Sequence, residues 1–273
     1  MTPGNRSHLN LITIKLIIAF DGARYAGWQT QKVGLGVQQV VEEAFAKIFG
    51  TAIPLHSSSR TDTGVHAIGM VAHVELPKEL LRSMTMRKVP LALNAHLPED
   101  IRVLHAALAA EGFHARFNAS GKEYRYFVWN HHAMNPLLRG HAWLVAGDLD
   151  IGQMRTAAQL FTGTHDFEAF SGTRNYRMKS TVRTLSQCTI KKSGRLLTFI
   201  LRGDGFLYKM CRNIVGTLVQ IGQGKYRAAD AAAMLRSKDR RCAGMTAPSV
   251  GLVLWKVFYG KKAGPAQPLA NDE

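Results

Sequence analysis

The sequence predicts an α+β fold in which mainly antiparallel sheets are covered by helices. Segments of alternating polarity, which indicate strands, follow one another in neighbouring pairs along the chain. They do not alternate strictly with helices, as the strands of a parallel α/β sheet would. The two halves of the chain have comparable content, each with several strands and one or two covering helices. We therefore expect two similar α+β subdomains.

The amino-terminal half opens with a half-buried strand over residues 11–20, because apolar residues stand at every second position. The segment 37–48 has helical spacing instead, and Gly50 stands where a glycine commonly ends a helix. Alternation returns over 68–76, with His73 on the outer face. The loop before this second strand can therefore present its side chains to a cleft.

The rest of the chain repeats this mixture of strands and helices. A helix is expected to begin near Leu80, and Pro90 and Pro98 limit how far it runs. Later elements are expected, in order, as a strand over 122–129, a helix over 151–161, strands near 181–191 and 196–202, helices over 206–221 and 228–236, and a strand over 252–259.

These elements divide the chain into three parts. Residues 1–112 would form the amino-terminal subdomain, and residues 113–260 would form the carboxyl-terminal subdomain. Residues 261–273 would form a flexible tail.

The charge of the chain indicates a polyanionic partner. Thirty-five Lys and Arg residues stand against nineteen Asp and Glu, and the formal net charge of +16 exceeds what solubility requires. Nucleic acid fits best, although a cationic ribosome-associated protein would have the same charge. The apolar stretches are too short and too interrupted by charge to span a bilayer, and the amino terminus lacks a signal-peptide pattern. We therefore expect a cytoplasmic protein.

The sequence gives little support for a metal site. Cys188, Cys211 and Cys242 are widely separated and form no C-x-x-C pair, so we expect reduced, partly buried thiols. His131 and His132 are adjacent, and no H-E-x-x-H motif places two imidazoles on one helical face. We expect no metal.

The most informative stretch is the segment 59–67, which reads Ser-Arg-Thr-Asp-Thr-Gly-Val-His-Ala. Asp62 follows Arg60 by two positions, and Gly64 allows the chain to bend sharply into the next strand. Such a loop can present a carboxylate beside a guanidinium. On physics alone, a surface turn with a solvated ion pair is the commoner outcome.

This segment resembles the R-T-D-x-G-V-H-A signature of the tRNA pseudouridine synthase A family, with Thr63 where the family usually has Ala. The resemblance covers most of the chain, in the same order and with similar spacing. The other stretches that carry it lie at 20–22, 27–29, 37–38, 113–117, 122–126, 165–167, 206–216, 247–248 and 251–252. Phe20 and the pair 249–250 also depart from the family pattern, but no reacting group is lost.

The resemblance implies a role for five polar residues. Asp62 would be the nucleophile or base that attacks the target uridine, so that the base detaches, turns and rejoins the ribose through carbon. Arg212 matches the arginine that pairs with this carboxylate, and Tyr124 matches the tyrosine that stacks on the extruded base. A structural salt bridge and a core tyrosine are the alternatives. Arg60 would hold the nucleotide out of the stack or contact a phosphate, and Lys209 would add positive potential or stay solvated.

The apolar residues around the site are less certain from sequence. Leu252 or Leu254 would supply an apolar wall for the base, and one strand does not decide between them. Trp28 and Trp255 are expected in the core. His66 is expected to order the loop, because an Asp and Arg pair suffices for the chemistry.

As a whole, the resemblance implies a cofactor-free isomerase with the pseudouridine synthase fold, whose two subdomains flank a basic RNA-binding cleft. Its substrate would be tRNA, at uridines 38, 39 and 40 of the anticodon stem-loop, and it would act as a homodimer. A non-catalytic RNA-binding protein and a synthase for another RNA site are the alternatives. A cofactor-dependent RNA methyltransferase is disfavoured, because the glycines at 203 and 205 lack the third glycine of a dinucleotide fingerprint.

Overall fold

The computed structural model describes residues 10–82, 84–173 and 179–260. The elements of the amino-terminal half are β1 (Leu11–Phe20), α1 (Val37–Phe49), β2 (His56–Ser57), β3 (His66–Pro77), α2 (Lys78–Leu81), α3 (Lys88–Asn94) and β4 (Ile101–Leu108). Those of the carboxyl-terminal half are β5 (Ala119–Asn130), β6 (Trp143–Val145), α4 (Ile151–Leu160), β7 (Gly163–Asp166), β8 (Val182–Ser193), β9 (Leu196–Gly203), α5 (Met210–Gly222), α6 (Asp230–Ser237) and β10 (Leu252–Tyr259).

The strands share one sheet in the order β4-β1-β3-β10-β5-β9-β8-β7, with β2 beside β3 and β6 beside β5. Neighbouring strands are antiparallel except for two parallel pairs, β3 with β10 and β5 with β6. The predicted α+β class with mainly antiparallel pairing is thus confirmed. The β3–β10 pair connects the two halves, and because it is parallel, the segments that precede these strands lie side by side.

The helices and strands follow the hydrophobic pattern of the sequence. Ile14, Leu16 and Ile18 of β1 are fully buried, and α1 ends at Gly50, whose φ of 69° lies in the left-handed region. Helix α1 packs on α3, while α4 packs on α5 and β8. The buried apolar residues of both halves form one continuous core.

The division at residue 112 stays a prediction, and the expected tail at 261–273 lies outside the part that the structure describes. Among the described residues, no helix combines the length and the apolar character that crossing a bilayer requires.

Strand β4 was not predicted from the sequence. It lies at the edge of the sheet and pairs with β1, but the register shifts between Ile17 and Ile18. This bulge interrupts the alternation, so that Leu104 and His105 are both exposed between buried residues. A strand with an interrupted period gives a weak sequence signal.

The prediction that His73 lies on an outer face was wrong. His73 is only 2% exposed, because the segment that leads into β5 covers it. The Ala115 N–H donates to His73 Nδ1 at 3.2 Å, and the rings of Phe113 and His114 pack against its imidazole. An alternating pattern identifies a strand but does not show that a loop covers its second face.

Helix α5 begins later than predicted, at Met210 instead of residue 206. Lys209 has a φ of 58°, in the left-handed region that interrupts a right-handed helix. The four residues 206–209 therefore form a loop, and this loop lies against the site described below.

We expect Phe45→Ala to lower the free energy of unfolding by about 3–5 kcal/mol, because the fully buried ring of Phe45 would leave a cavity in the core. Leu91→Ala is the matched control, since Leu91 lies on α3 and is 70% exposed. Urea unfolding of both variants tests this, and equal losses of stability would contradict the assigned core.

Candidate active site

A cavity of about 500 Å³ opens beside the adjoining starts of β3 and β10. Its walls come mainly from the segment 55–62, which contains β2, from β5, from the loop 206–209 with the start of α5, and from the first residue of β10. Five of the residues singled out from the sequence line it, namely Arg60, Asp62, Tyr124, Lys209 and Leu252. The remaining one, Arg212, reaches Asp62 from α5.

Arg212 and Asp62 form an ion pair although 150 positions separate them in the sequence. Arg212 Nη1 donates to Asp62 Oδ2 at 3.1 Å. The two side chains are only 15% and 23% exposed, so water and salt screen the pair weakly. The predicted partners are thus brought together, while their catalytic roles stay predictions.

The segment before β10 holds Arg212 from a second side. Arg212 Nε donates to the Ala247 carbonyl oxygen at 2.7 Å, and the Ala247 N–H donates to the Arg212 carbonyl oxygen at 3.0 Å. This segment crosses α5 at Gly216, where a Cβ atom would stand 1.9 Å from the Met245 carbonyl oxygen. Only glycine permits so close an approach. The guanidinium is therefore fixed before it meets any substrate.

The loop that carries Asp62 is held by the segment between β1 and α1. The Trp28 N–H donates to the Thr61 carbonyl oxygen at 3.2 Å, and the Val65 N–H donates to that of Asp62 at 3.1 Å, which closes a turn. Gly27 has a φ of 100°, and a Cβ atom there would stand 2.5 Å from the Thr61 carbonyl oxygen. Asp62 therefore lies on a supported loop.

His66 is buried at the start of β3, where its contacts fit the expected ordering role. Its Nδ1 accepts from the Gly22 N–H at 3.1 Å, and its Nε2 lies 3.2 Å from the Val250 carbonyl oxygen. Burial lowers the pKa of His66, which favours the neutral imidazole. His66 links the loop that carries Asp62 to the segments before α1 and β10, and it does not line the cavity.

One group of potential metal ligands exists among the described residues, formed by Asp21, His66 and His141 with ligand atoms within 4.8 Å of one another. Asp21 lies 2.9 Å from His66 Nδ1 and 3.2 Å from His141 Nε2. The Gly22 N–H already donates to that Nδ1, and the Ala23 N–H donates to Asp21 Oδ1 at 2.9 Å. These hydrogen bonds account for the arrangement, and the expectation of no metal stays a prediction.

Tyr124 combines burial with access to the cavity. Its side chain is 7% exposed, and its ring meets Phe206 edge-on with centroids 5.0 Å apart. Burial raises the pKa of the Tyr124 hydroxyl, so this phenol stays neutral at physiological pH. The wall thus offers a neutral aromatic surface on which a base can pack.

The structure distinguishes between the two candidate leucines. Leu252 lines the cavity, whereas Leu254 is fully buried in the core away from the wall. Trp28 is buried as expected, but Trp255 is only half buried and lies 3.9 Å beneath the guanidinium of Arg125.

Arg60 and Lys209 supply positive charge at different depths. Arg60 is exposed, whereas Lys209 is half buried with its ammonium 5.0 Å from the ring centroid of Tyr208. The prediction that Lys209 stands on α5 beside Arg212 was wrong, because Lys209 precedes the helix in a left-handed conformation.

Three further cations line the cavity and were given no role from sequence, namely Arg116, Lys122 and Arg183. The sequence could have indicated Lys122, because it stands two residues before Tyr124 and therefore on the same face of β5. It could not have indicated Arg183, since only the order of strands in the sheet brings β8 near the cavity. Burial lowers the pKa of Lys122 to about 8, and the charges of Arg116 and Arg183 act in the same direction.

The chain matches known proteins over most of its length. The family model described as tRNA pseudouridine synthase matches residues 16–118 and 157–260. The chain is 44% identical to "tRNA pseudouridine synthase A" of Geotalea uraniireducens, with 90% of this chain and 99% of that protein covered. It is 39% identical to the protein of that name from Thermoanaerobacter sp., with the same coverage of both chains.

We expect Gly216→Ala to destabilise the fold by about 1–3 kcal/mol, because the added methyl group would collide with the Met245 backbone and displace the segment that holds Arg212. Gly152→Ala is the matched control, because Gly152 is an exposed glycine of α4 whose Cβ would meet only a side-chain atom, Asp150 Oδ1. Thermal unfolding compares the two. A Gly216→Ala protein as stable as the control would refute the proposed contact.

Proposed function

This chain belongs to the tRNA pseudouridine synthase family and therefore isomerises uridine to pseudouridine in tRNA, and from that premise we propose that Asp62 is its catalytic carboxylate. The observation that carries the proposal is the position of Asp62. Among the described residues that line the cavity, it is the single acidic side chain. It is also fixed by a guanidinium that the fold itself holds in place.

The reaction needs an anionic group of the enzyme that acts on one atom of the substrate. The bond between N1 and C1′ of uridine breaks, a bond between C5 and C1′ forms, and the proton lost at C5 balances the proton gained at N1. No electrons enter or leave, so the isomerisation is balanced without a redox partner. A carboxylate can act here as nucleophile or as base, and both roles require its ionised form.

Arg212 would hold Asp62 in place for the reaction. A half-buried carboxylate loses hydration, and a guanidinium at 3.1 Å offsets that loss. Because Arg212 also binds Ala247, its position does not depend on the substrate. This preorganisation is the arrangement that stabilises charge in a reacting complex.

Tyr124 and Leu252 would receive the uracil ring. A base can reach the cavity only after leaving the RNA stack, and extruded bases are commonly held by aromatic and apolar side chains. The volume of about 500 Å³ suits a nucleoside-sized guest. Arg60, which is exposed, would contact the nucleotide from outside, and Lys209 would add positive potential near the aromatic ring of Tyr208.

We further propose the finer features that the family resemblance implies. The target uridines would be those at positions 38, 39 and 40 of the tRNA anticodon stem-loop. The protein would act as a homodimer whose subunits jointly form the RNA cleft, and it would work in the cytoplasm. Mapping pseudouridine in tRNA from cells that lack the protein tests the target positions, and light scattering tests the dimer.

We expect Asp62→Asn to abolish isomerisation while tRNA affinity changes by less than about tenfold, or roughly 1.4 kcal/mol, because the amide keeps the volume but not the charge. Asp148→Asn, at an exposed position outside the cavity wall, is the control. Release of tritium from C5-labelled tRNA measures turnover, and filter binding measures affinity. Near-normal turnover by Asp62→Asn would remove Asp62 from the catalytic role.

We expect Arg212→Ala to lower the rate at saturating tRNA by about a hundredfold, because a charge-stabilising donor acts mainly on the reacting state. Arg241→Ala is the control, since Arg241 is an exposed arginine paired with Asp239. The salt dependence of binding should change little for Arg212→Ala. If this variant raises only the Michaelis constant, Arg212 is a phosphate contact and the assigned pair is wrong.

A further inference from the structure

Three cations from three different segments meet on the side of the cavity formed by β5. They are Arg116 from the loop before β5, Lys122 from β5 and Arg183 from β8, and together they form what we call the cationic wall. Arg116 and Arg183 both act electrostatically on Lys122. Placing like charges together in a half-buried position is unfavourable unless something of opposite charge binds there.

No carboxylate of the described part of the chain neutralises Lys122 or Arg116. Neither residue has a salt bridge to a described residue, and the single acidic residue of the cavity lining, Asp62, is bound to Arg212. Lys122 is half buried, so solvent stabilises its charge less than it stabilises a surface lysine. The charges of Lys122 and Arg116 are therefore available to a ligand.

The sheet register places this charge at a defined distance from the base-binding surface. Lys122 precedes Tyr124 by two residues on the same face of β5, which corresponds to about 7 Å along the strand. The residues opposite Lys122 in the neighbouring strands are Gly203 and Val257, and neither carries charge. Gly203 adds no side chain beside Lys122, and the space that one would fill is taken by Leu185 and Thr184 of β8.

We propose that the cationic wall is a phosphodiester-binding subsite, in which Lys122 contacts the backbone phosphate attached to the nucleotide whose base packs on Tyr124. The proposal rests on the proposed function, because it assumes that the ligand of the cavity is an extruded nucleotide of RNA. A phosphate diester has one negative charge and no proton to lose at neutral pH. It would therefore offset the charge of Lys122 and anchor the ribose while its base is detached.

This role differs from proton transfer by Lys122. A phosphate contact needs a permanent cation, which arginine supplies as well as lysine, whereas a proton-transfer residue must lose its charge. The pKa of Lys122, lowered to about 8 by burial and by its cationic neighbours, makes the two roles separable. Bound phosphate favours the ammonium form, so affinity should be greatest below pH 8 and should fall as the pH rises through that value.

The other titratable groups that line the cavity and have a shifted pKa lie on either side of that range. Burial lowers the pKa of His114 from an ordinary value of 6.5, and it raises the pKa of Tyr124 and of Cys211 above their ordinary values. Arginine side chains in general do not titrate in this range. A transition near pH 8 would therefore report Lys122.

The test uses the full chain with an anticodon stem-loop RNA in which single phosphates around the target uridine are replaced by neutral methylphosphonates. We expect Lys122→Met to raise the dissociation constant for the native RNA by about tenfold, as the loss of one charge-assisted contact would. When the one phosphate that Lys122 contacts is replaced, the affinity of the wild-type protein should fall by the same factor, and the affinity of Lys122→Met should fall no further. If the effects of Lys122→Met and of the neutral linkage on affinity add at every position of the RNA, the proposal is overturned.

Lys122→Arg and Lys191→Met complete the design. Lys122→Arg should bind like the wild type at pH 7 and should keep its affinity above pH 8, where the wild type weakens. Lys191→Met removes an exposed lysine of β8 outside the cavity. The affinity of this variant for RNA should therefore depend on pH and on the same single phosphate linkage as the affinity of the wild type. If Lys122→Arg instead loses the saturated rate with unchanged affinity, Lys122 transfers a proton and the subsite is refuted.

The binding measurements do not depend on turnover. A wild-type protein that binds the RNA but releases no tritium would disprove the catalytic assignment and leave the binding comparison readable. An active enzyme whose Lys122→Met variant binds normally would disprove the subsite and leave the catalytic assignment intact.

Discussion

The active site depends on the parallel pairing of β3 with β10. Only two residue pairs define it, Val253 with His66 and Leu254 with Ala67. Because the strands run in the same direction, the loop with Asp62 and the segment with Ala247 both enter the sheet at the same edge. An antiparallel pairing would place them at opposite ends. Side chains 150 positions apart in sequence therefore meet as an ion pair.

The ion pair is stable because the backbone around it fixes both partners. A half-buried pair gains from Coulomb attraction but loses hydration, and it is favourable only with good geometry and further hydrogen bonds. Arg212 has such a bond to Ala247, and the Asp62 loop has its own from Trp28. The close approaches at Gly27 and Gly216 allow this arrangement, so these glycines contribute to the site without touching a substrate.

Sequence predicted most strands and helices here because their burial is local and periodic, as in β1, α1 and β10. The prediction missed β4, because a bulge interrupts the periodic pattern of that strand. It placed His73 on an outer face, because the sequence of a strand does not show that a loop covers it.

Site residues could be predicted where they stand in a recognisable motif. They could not be predicted where only the order of strands in the sheet brings them to the cavity. Asp62, Arg212 and Tyr124 stand in stretches with a recognisable resemblance, and they meet at one cavity. Arg183 reaches the same cavity only because β9 and β8 follow β5 in the sheet. Leu252 was separated from Leu254 only by knowing which of the two lies at the end of the strand.

Asp62 is the single acidic side chain among the described residues that line the cavity, and it is the group by which a strongly basic protein would use an anion for chemistry. Asp62 could in principle pair with any nearby cation, but Arg212 is the one that the fold holds in place beside it. Arg116, Lys122 and Arg183 lie on other segments of the wall, namely the loop before β5, β5 and β8. Under the proposed assignments, the charges of Arg116 and Lys122 would be left for the RNA backbone, while the charge of Arg212 would act on the reacting group.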